Sequence, residues 1–168
     1  MPVTDNSAYR RTRLAILEGT KTLIAQRGLR ATTMIDIADA SEVSRATLYN
    51  HFRDKESVLR AVLESEVERL CALLTAESLE KVSIEISSDT ALATLRTSDP
   101  QILTELFRSE SDPLWPQIGE TLLDALGDTL KAQLAIRWLI GQVFAPLTPL
   151  QSHDHARAII GMEELPTP

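Results

Sequence analysis

A chain of 168 residues, 43% hydrophobic and 24% charged, has room for one small head and one helical body around a real core. No apolar run approaches the roughly 20 residues of a membrane span, and the opening MPVTDNSAYRR lacks the apolar stretch of a signal peptide. The single cysteine, Cys71, excludes an intrachain disulfide and fits a reducing cytoplasm. The net charge of −7 is unevenly divided: up to residue 60 there are ten basic and seven acidic residues, and beyond it seven basic and seventeen acidic. A positive head on a negative body directs the head to phosphate and keeps the body away from it. Taken alone, the asymmetry reads equally well as chance in a solvated surface.

Residues 1–8 read as a mobile arm. From Tyr9 a helix is predicted to about Arg27, with Ile16, Thr20, Leu23 and Ile24 on one face and Gly28 as the left-handed residue after its end. Arg10, Arg11 and Arg13 crowd its start, where the helix dipole disfavours cations; a phosphate partner or a merely solvated basic end would each account for them.

The stretch from Thr32 to Lys55, TTMIDIADASEVSRATLYNHFRDK, reads as two short helices joined by a tight turn and followed by the start of another. Thr33 with Asp36 three residues on makes a capping-box pattern, and Met34, Ile37 and Ala38 supply a small apolar face. Ser41-Glu42-Val43 breaks the run, with Val43 as the buried plug of the turn. Ser44 caps a second helix to about His51, on which Leu48 and Phe52 point inward. Ala46, Thr47, Asn50 and His51 form the opposite arc, and Asp54 caps a helix starting at Lys55. A buttressing helix followed by one that is apolar behind and hydrogen-bonding in front is the arrangement of a helix-turn-helix.

IADASEVSRATLYNHFRDKESVL resembles the DNA-binding signature of the tetracycline-repressor (TetR) family of transcription regulators. The likeness rests on Gly28, Thr33, Ile37, Ala38, Val43, Ser44, Thr47, Leu48, Tyr49, Phe52, Lys55 and Leu59 and is close over residues 10–63. It implies an all-α protein: a three-helix DNA-binding head with a helix-turn-helix over residues 1–55, and a helical-bundle body for ligand binding and dimerisation over 56–168. Thr32, Thr33, Arg45, Thr47, Tyr49, Asn50, His51 and Lys55 are the candidate DNA-binding residues. Asn pairs bidentately with adenine and Thr touches a thymine methyl, while Tyr49 and Lys55 resemble the family's phosphate contacts. The chain departs from the family where Ser41-Glu42 stands for the usual Ala-Gly. Glu42 implies either a turn without positive φ or local strain, and it adds a negative charge near the DNA-facing side.

Leu59, Val62, Leu63, Val67, Leu70, Cys71 and Leu74 continue the helical spacing through one long helix to about Glu80, starting in the head and ending in the body. Val82 to Ile86 alternates like a strand but has no partner strand, and is read as an interhelical segment or a continued helix. Further helices are expected at about 89–97, 100–110, 114–128, 130–145 and 151–162, with Glu163 to Pro168 as a frayed tail. Gln133 to Ile140 is nearly apolar all round, so its helix is either central or shared with another subunit.

Phe107, Trp115, Trp138 and Phe144 are four of the seven aromatics and fit either a ligand cavity or plain core and dimer packing. Cys71, Leu74, Phe107, Arg108, Trp115, Trp138 and Gln142 are the candidate ligand-binding residues, though the body is short for the family. His153-Asp154-His155 places two histidines on opposite sides of a helix, so no metal is expected, and no cofactor. Cys71 on an apolar face reads as an inert thiol. The chain has no nucleophile–base–acid pattern, no phosphate-binding glycine loop and no carboxylate pair at defined spacing, so an enzyme is not expected. The expected function is a cytoplasmic, homodimeric regulator, a repressor released from a palindromic double-stranded DNA operator by a small-molecule effector, with the dimer formed through about 130–145 and 151–162. The alternative is a helical assembly module whose helix-turn-helix no longer binds DNA.

Overall fold

The computed structural model describes residues 3–108 and 113–162. Among these the chain is all helical: α1 (Val3–Arg27), α2 (Met34–Ala40), α3 (Arg45–His51), α4 (Lys55–Leu73), α5 (Leu79–Ser88), α6 (Thr90–Ser98), α7 (Pro100–Arg108), α8 (Leu114–Leu126), α9 (Thr129–Phe144) and α10 (Pro149–Ile160). The described residues form two compact units, one drawn from Met1–Glu66 with Thr90–Leu106 and the other from Val67–Asp89 with Phe107–Pro168. The units are therefore drawn differently from a division at residue 55: α6 and α7 belong with the head, and α4 is shared along its length.

In the first unit Ile16, Leu17 and Leu23 of α1 close on Ile37 and Ala38 of α2, Leu48 and Phe52 of α3 and its end, and Val58, Ala61 and Val62 of α4. Met34 and Val43 pack against this cluster half-buried, so Val43 is a partial plug rather than a buried one. Each fully buried leucine or isoleucine contributes about 1.5–3 kcal/mol relative to exposure. α6 lies against α1, where the Thr94 hydroxyl donates to the Ala25 carbonyl at 2.7 Å.

The turn between α2 and α3 is a Schellman motif. The Val43 N–H donates to the Ala38 carbonyl at 3.0 Å and the Glu42 N–H to the Asp39 carbonyl at 3.2 Å. Glu42 holds the left-handed position between them at φ 54, the place glycine usually takes. Strain, not a turn without positive φ, is thus what Glu42 brings. Gly19 of α1 makes the turn's close approach possible: a Cβ there would lie 2.5 Å from Ser41 Oγ and 3.2 Å from the Ala40 carbonyl.

In the second unit α5 packs on α10 and α9. Leu79, Val82, Ser83 and Ile86 are its buried residues, at i, i+3, i+4 and i+7, so the helical period governs and the strand-like alternation at 82–86 does not. Ser83 Oγ lies 2.7 Å from both Gln142 Oε1 and Ser152 Oγ, all three residues being buried, which ties α5 to α9 and α10. Gly127 at φ 67 closes α8, Asp128 opens α9, and Thr148 with Gln151 forms the capping box of α10.

Two expected boundaries move. α1 begins at Val3, so residues 3–8 are helical rather than an arm; their polar sequence carries no apolar stripe to announce it. α4 stops at Leu73 instead of about Glu80, leaving Leu74 beyond its end. Thr75 and Ser78 end it: the Thr75 N–H donates to Ser78 Oγ at 2.8 Å and Ser78 Oγ donates to the Leu73 carbonyl, local bonds that compete with the helix. Glu163 to Pro168 lie outside the described residues.

Relief of the left-handed strain predicts that Glu42→Gly raises unfolding stability by about 0.5–1 kcal/mol, the conformational gain exceeding the entropy added to the unfolded chain. Urea titration of both proteins measures this; a less stable glycine variant would show that the Glu42 side chain stabilises the turn.

Candidate nucleic-acid interface

The helix-turn-helix is assembled from three caps. Thr33 opens α2: its hydroxyl accepts from the Asp36 N–H at 3.2 Å, and the Thr33 N–H donates to Asp36 Oδ2 at 2.8 Å. The Thr33 hydroxyl and Arg27, whose Nη2 lies 2.9 Å from Asp36 Oδ1, hold the Asp36 carboxyl well below the usual carboxylate range, at about 2. Ser44 opens α3 through the Thr47 N–H at 3.0 Å. Asp54 opens α4 by accepting the Ser57 N–H at 2.8 Å, and Ser57 lowers the carboxyl's pKa.

With Leu48 fully buried and Phe52 nearly so, α3 turns Arg45, Ala46, Tyr49 and Asn50 to solvent. Tyr49 is 54% exposed, with its ring and hydroxyl on the open side of α3. Four side chains of complementary kinds thus share one face: a cation, a methyl, a phenol and an amide. The cation and the phenol can meet phosphate, the methyl a thymine methyl, and the amide a base edge. Thr33 and Thr47 flank this face, each with its hydroxyl engaged in the cap, Thr47 sharing a 2.7 Å bond with Ser44.

Three candidate residues are placed differently from the sequence expectation. Thr32 is fully buried and its hydroxyl donates to the Gly28 carbonyl at 2.8 Å, so it supports the loop before α2 and presents no side chain outward. Lys55 turns back into the same loop, its ammonium donating to the carbonyls of Leu29 at 3.0 Å and Thr32 at 2.9 Å. His51 is half-buried at the seam of α3 and α1, its ring stacked on Tyr9 with centroids 4.2 Å apart. Its Nδ1 is buried without a hydrogen-bond partner, and burial together with Arg13 lowers its pKa, which disfavours the charged ring. Arg13 itself lies over the Phe52 ring at 4.7 Å, and because α1 begins at Val3 it stands well inside the helix rather than in the first turn, so it has a packing role there. Sequence spacing put His51 on the open arc because it stands four residues after Thr47. Thr47 and His51 are both half-buried, however, and mark the edge of that arc rather than its centre.

The candidate ligand-binding residues have varied surroundings. Gln142 is 1% exposed and spent: its Oε1 accepts from Ser83 at 2.7 Å and Ser87 at 2.8 Å, and its Nε2 donates to the Trp138 carbonyl. Trp138 is half-buried with its indole N–H on His155 Nδ1 at 3.1 Å, and Trp115 is half-buried on α8. Cys71 is half-buried beside Thr121, and desolvation raises its thiol pKa. The side chains of Phe107 and Arg108 lie outside the described residues. Of the His153-Asp154-His155 run, His153 pairs with Glu80 at 2.9 Å while His155 serves Trp138, so the two histidines do face different neighbours. Among the described residues no helix is long and apolar enough to cross a membrane.

Residues 16–62 match the model of the family described as "Bacterial regulatory proteins, tetR family". The HTH-type transcriptional repressor KstR2 of Rhodococcus jostii (strain RHA1) is 42% identical over 69 residues, which cover 41% of this chain and 34% of that protein. The uncharacterized HTH-type transcriptional regulator YfiR of Bacillus subtilis (strain 168) is 30% identical over 110 residues, 66% of this chain and 49% of its own length. The chain thus spans less than half the length of these curated relatives. In fold it is similar to the TetR family repressor AlkX from Dietzia sp. strain DQ12-45-1b, with a TM-score of 0.65 at 22% identity, covering 88% of this chain and 92% of that one. Residues 16–62, which hold this helix-turn-helix with its caps and core, are thus similar to the DNA-binding part of the tetR family of bacterial regulatory proteins, and the fold of the chain is similar to that of a TetR family repressor.

Proposed function

We propose that the chain is a DNA-binding transcriptional repressor that works as a homodimer and is released from its operator by a small-molecule effector. The observation that carries the DNA-binding reading is the face of α3: Arg45, Ala46, Tyr49 and Asn50 exposed together on a helix fixed from behind by Leu48 and Phe52. Glu42, the departure that favours a vestigial motif, leaves the turn and both its helices formed. The names of the relatives, transcriptional repressors among them, support repression over activation.

A seven-residue helix reads only a few base pairs, so useful specificity needs two copies on a two-fold site. Support for pairing comes from α9, where Leu130, Leu134, Arg137, Gly141 and Phe144 are all exposed at alternating spacings of four and three, the seam pattern of helix against helix. A Cβ at Gly141 would meet nothing within 4 Å, which leaves room there for a close approach. Leu150 at 69% and Ile160 at 38% exposure extend the apolar surface onto α10. An effector would bind among the body helices, with Trp115, Trp138 and Cys71 as half-buried candidates, and would act by preferring one arrangement of the dimer over another.

Two outcomes are expected. Against a duplex selected from a random pool, Asn50→Ala relaxes base preference at one position by about 1–3 kcal/mol, while Tyr49→Phe weakens matched and mismatched duplexes alike; titrations showing the reverse would exchange the two roles. The double variant Leu134→Glu with Phe144→Glu runs as a monomer by light scattering at micromolar concentration, where the wild type runs as a dimer. A monomeric wild type would remove the two-fold reading.

A further inference from the structure

The loop from Gly28 to Thr33 launches α2, and its polar groups are held by charges from two distant parts of the chain. The Lys55 ammonium takes the carbonyls of Leu29 and Thr32. Asp99, between α6 and α7 and seventy residues downstream, takes the amides: its Oδ2 accepts the Leu29 N–H at 2.7 Å and lies 3.4 Å from the Arg30 nitrogen. Asp99 is 1% exposed, a place where a carboxylate is costly unless N–H groups and a cation meet it. Arg30 supplies the cation, with Nε 3.5 Å from Asp99 Oδ1, and is steadied by Gln101, whose Oε1 accepts from Arg30 Nη2 at 3.0 Å. Gly28 completes the seat: at φ 81 it takes a left-handed turn, and a Cβ there would lie 2.6 Å from Asp99 Oδ2. Burying a charge to fix two loop amides is more than the end of α1 requires, since the Gly28 N–H already bonds to the Ile24 carbonyl at 2.9 Å.

We propose that Asp99 is a positioning residue for DNA binding: through the Leu29 and Arg30 amides it fixes the loop from which α2 starts, and with it the setting of α2 and α3. The proposal rests on the DNA-binding reading above. Asp99 touches no DNA in this scheme. It acts by removing loop freedom when the chain folds, so that this ordering is not left to the moment of binding. Without it, only the fraction of heads that happen to be correctly set would bind, and apparent affinity would fall by that fraction.

The test uses the full chain and a duplex selected from a random pool by the wild type, read by fluorescence anisotropy over a range of salt, with amide hydrogen exchange at Leu29 in parallel. Asp99→Ala is expected to weaken binding about ten-fold, the scale of one lost hydrogen bond to a charged acceptor. The slope of affinity against salt should be unchanged because no phosphate contact is removed, and exchange at Leu29 should be faster. Asp99→Asn keeps an acceptor oxygen and should bind within about three-fold of wild type with the Leu29 amide still protected. Undiminished affinity in a folded Asp99→Ala chain overturns the proposal. Should that variant fail to fold, Asp99→Asn decides: affinity that follows Leu29 protection, both kept or both lost, supports the proposal, and affinity that departs from it overturns it. A wild-type chain that selects no duplex at all defeats the DNA-binding reading first, and this inference with it.

Discussion

Seven residues are too few for a helix to hold itself in water, where nucleation alone outweighs what so few hydrogen bonds return. α3 therefore exists because Leu48 and Phe52 are taken into the core formed by α1, α2 and α4. That single burial fixes which side of α3 faces inward and leaves Arg45, Ala46, Tyr49 and Asn50 to face outward. α1 can come close enough to provide the core only because Gly19 has no side chain at the point where it meets the turn. The exposed chemistry of the head is thus a consequence of packing behind it.

Much of this was legible because helix punctuation is local. Thr33 with Asp36, Ser44 before Arg45 and Asp54 before Lys55 all announce a boundary within three or four residues of the bonds they make. The 3.6-residue stripe did the rest for the core of the head. Where the expectations moved, the deciding contacts were not periodic. The end of α4 is set by hydroxyls of Thr75 and Ser78, residues with no strong helix-stop signal. The polar start of α1 bears no stripe to read.

The site was less legible than the fold for a related reason. The direction of a helix face can be counted from spacing, but which polar groups are already spent cannot. Lys55 and Gln142 carry the right chemistry for contacts with a partner, yet each is engaged by groups remote in sequence: Lys55 with a loop more than twenty residues before it, Gln142 with serines more than fifty residues away. Thr32 is turned inward onto the Gly28 carbonyl, four residues before it. His51 lies at the edge of its arc, and only the position of Tyr9 decides that its ring is covered. Gly19 and Asp99 carry no signal in the sequence, since one glycine within a helix and one aspartate before a proline are ordinary until their neighbours are known.

The head's unit is discontinuous along the chain, with α6 and α7 added to it after α5 has gone to the other unit. Synthesis proceeds from the N-terminus at roughly 5–20 residues per second, so the ribosome releases α1 to α4 well before the segment that carries Asp99. For that interval, α1 has no α6 to cover it, and the Leu29 amide is met by water instead of a carboxylate. The nascent head must remain open to a later partner from its own chain while α5 emerges between the two halves. A unit interrupted in this way closes late, and its last step joins residues far apart in sequence, which is the slow kind of contact to make.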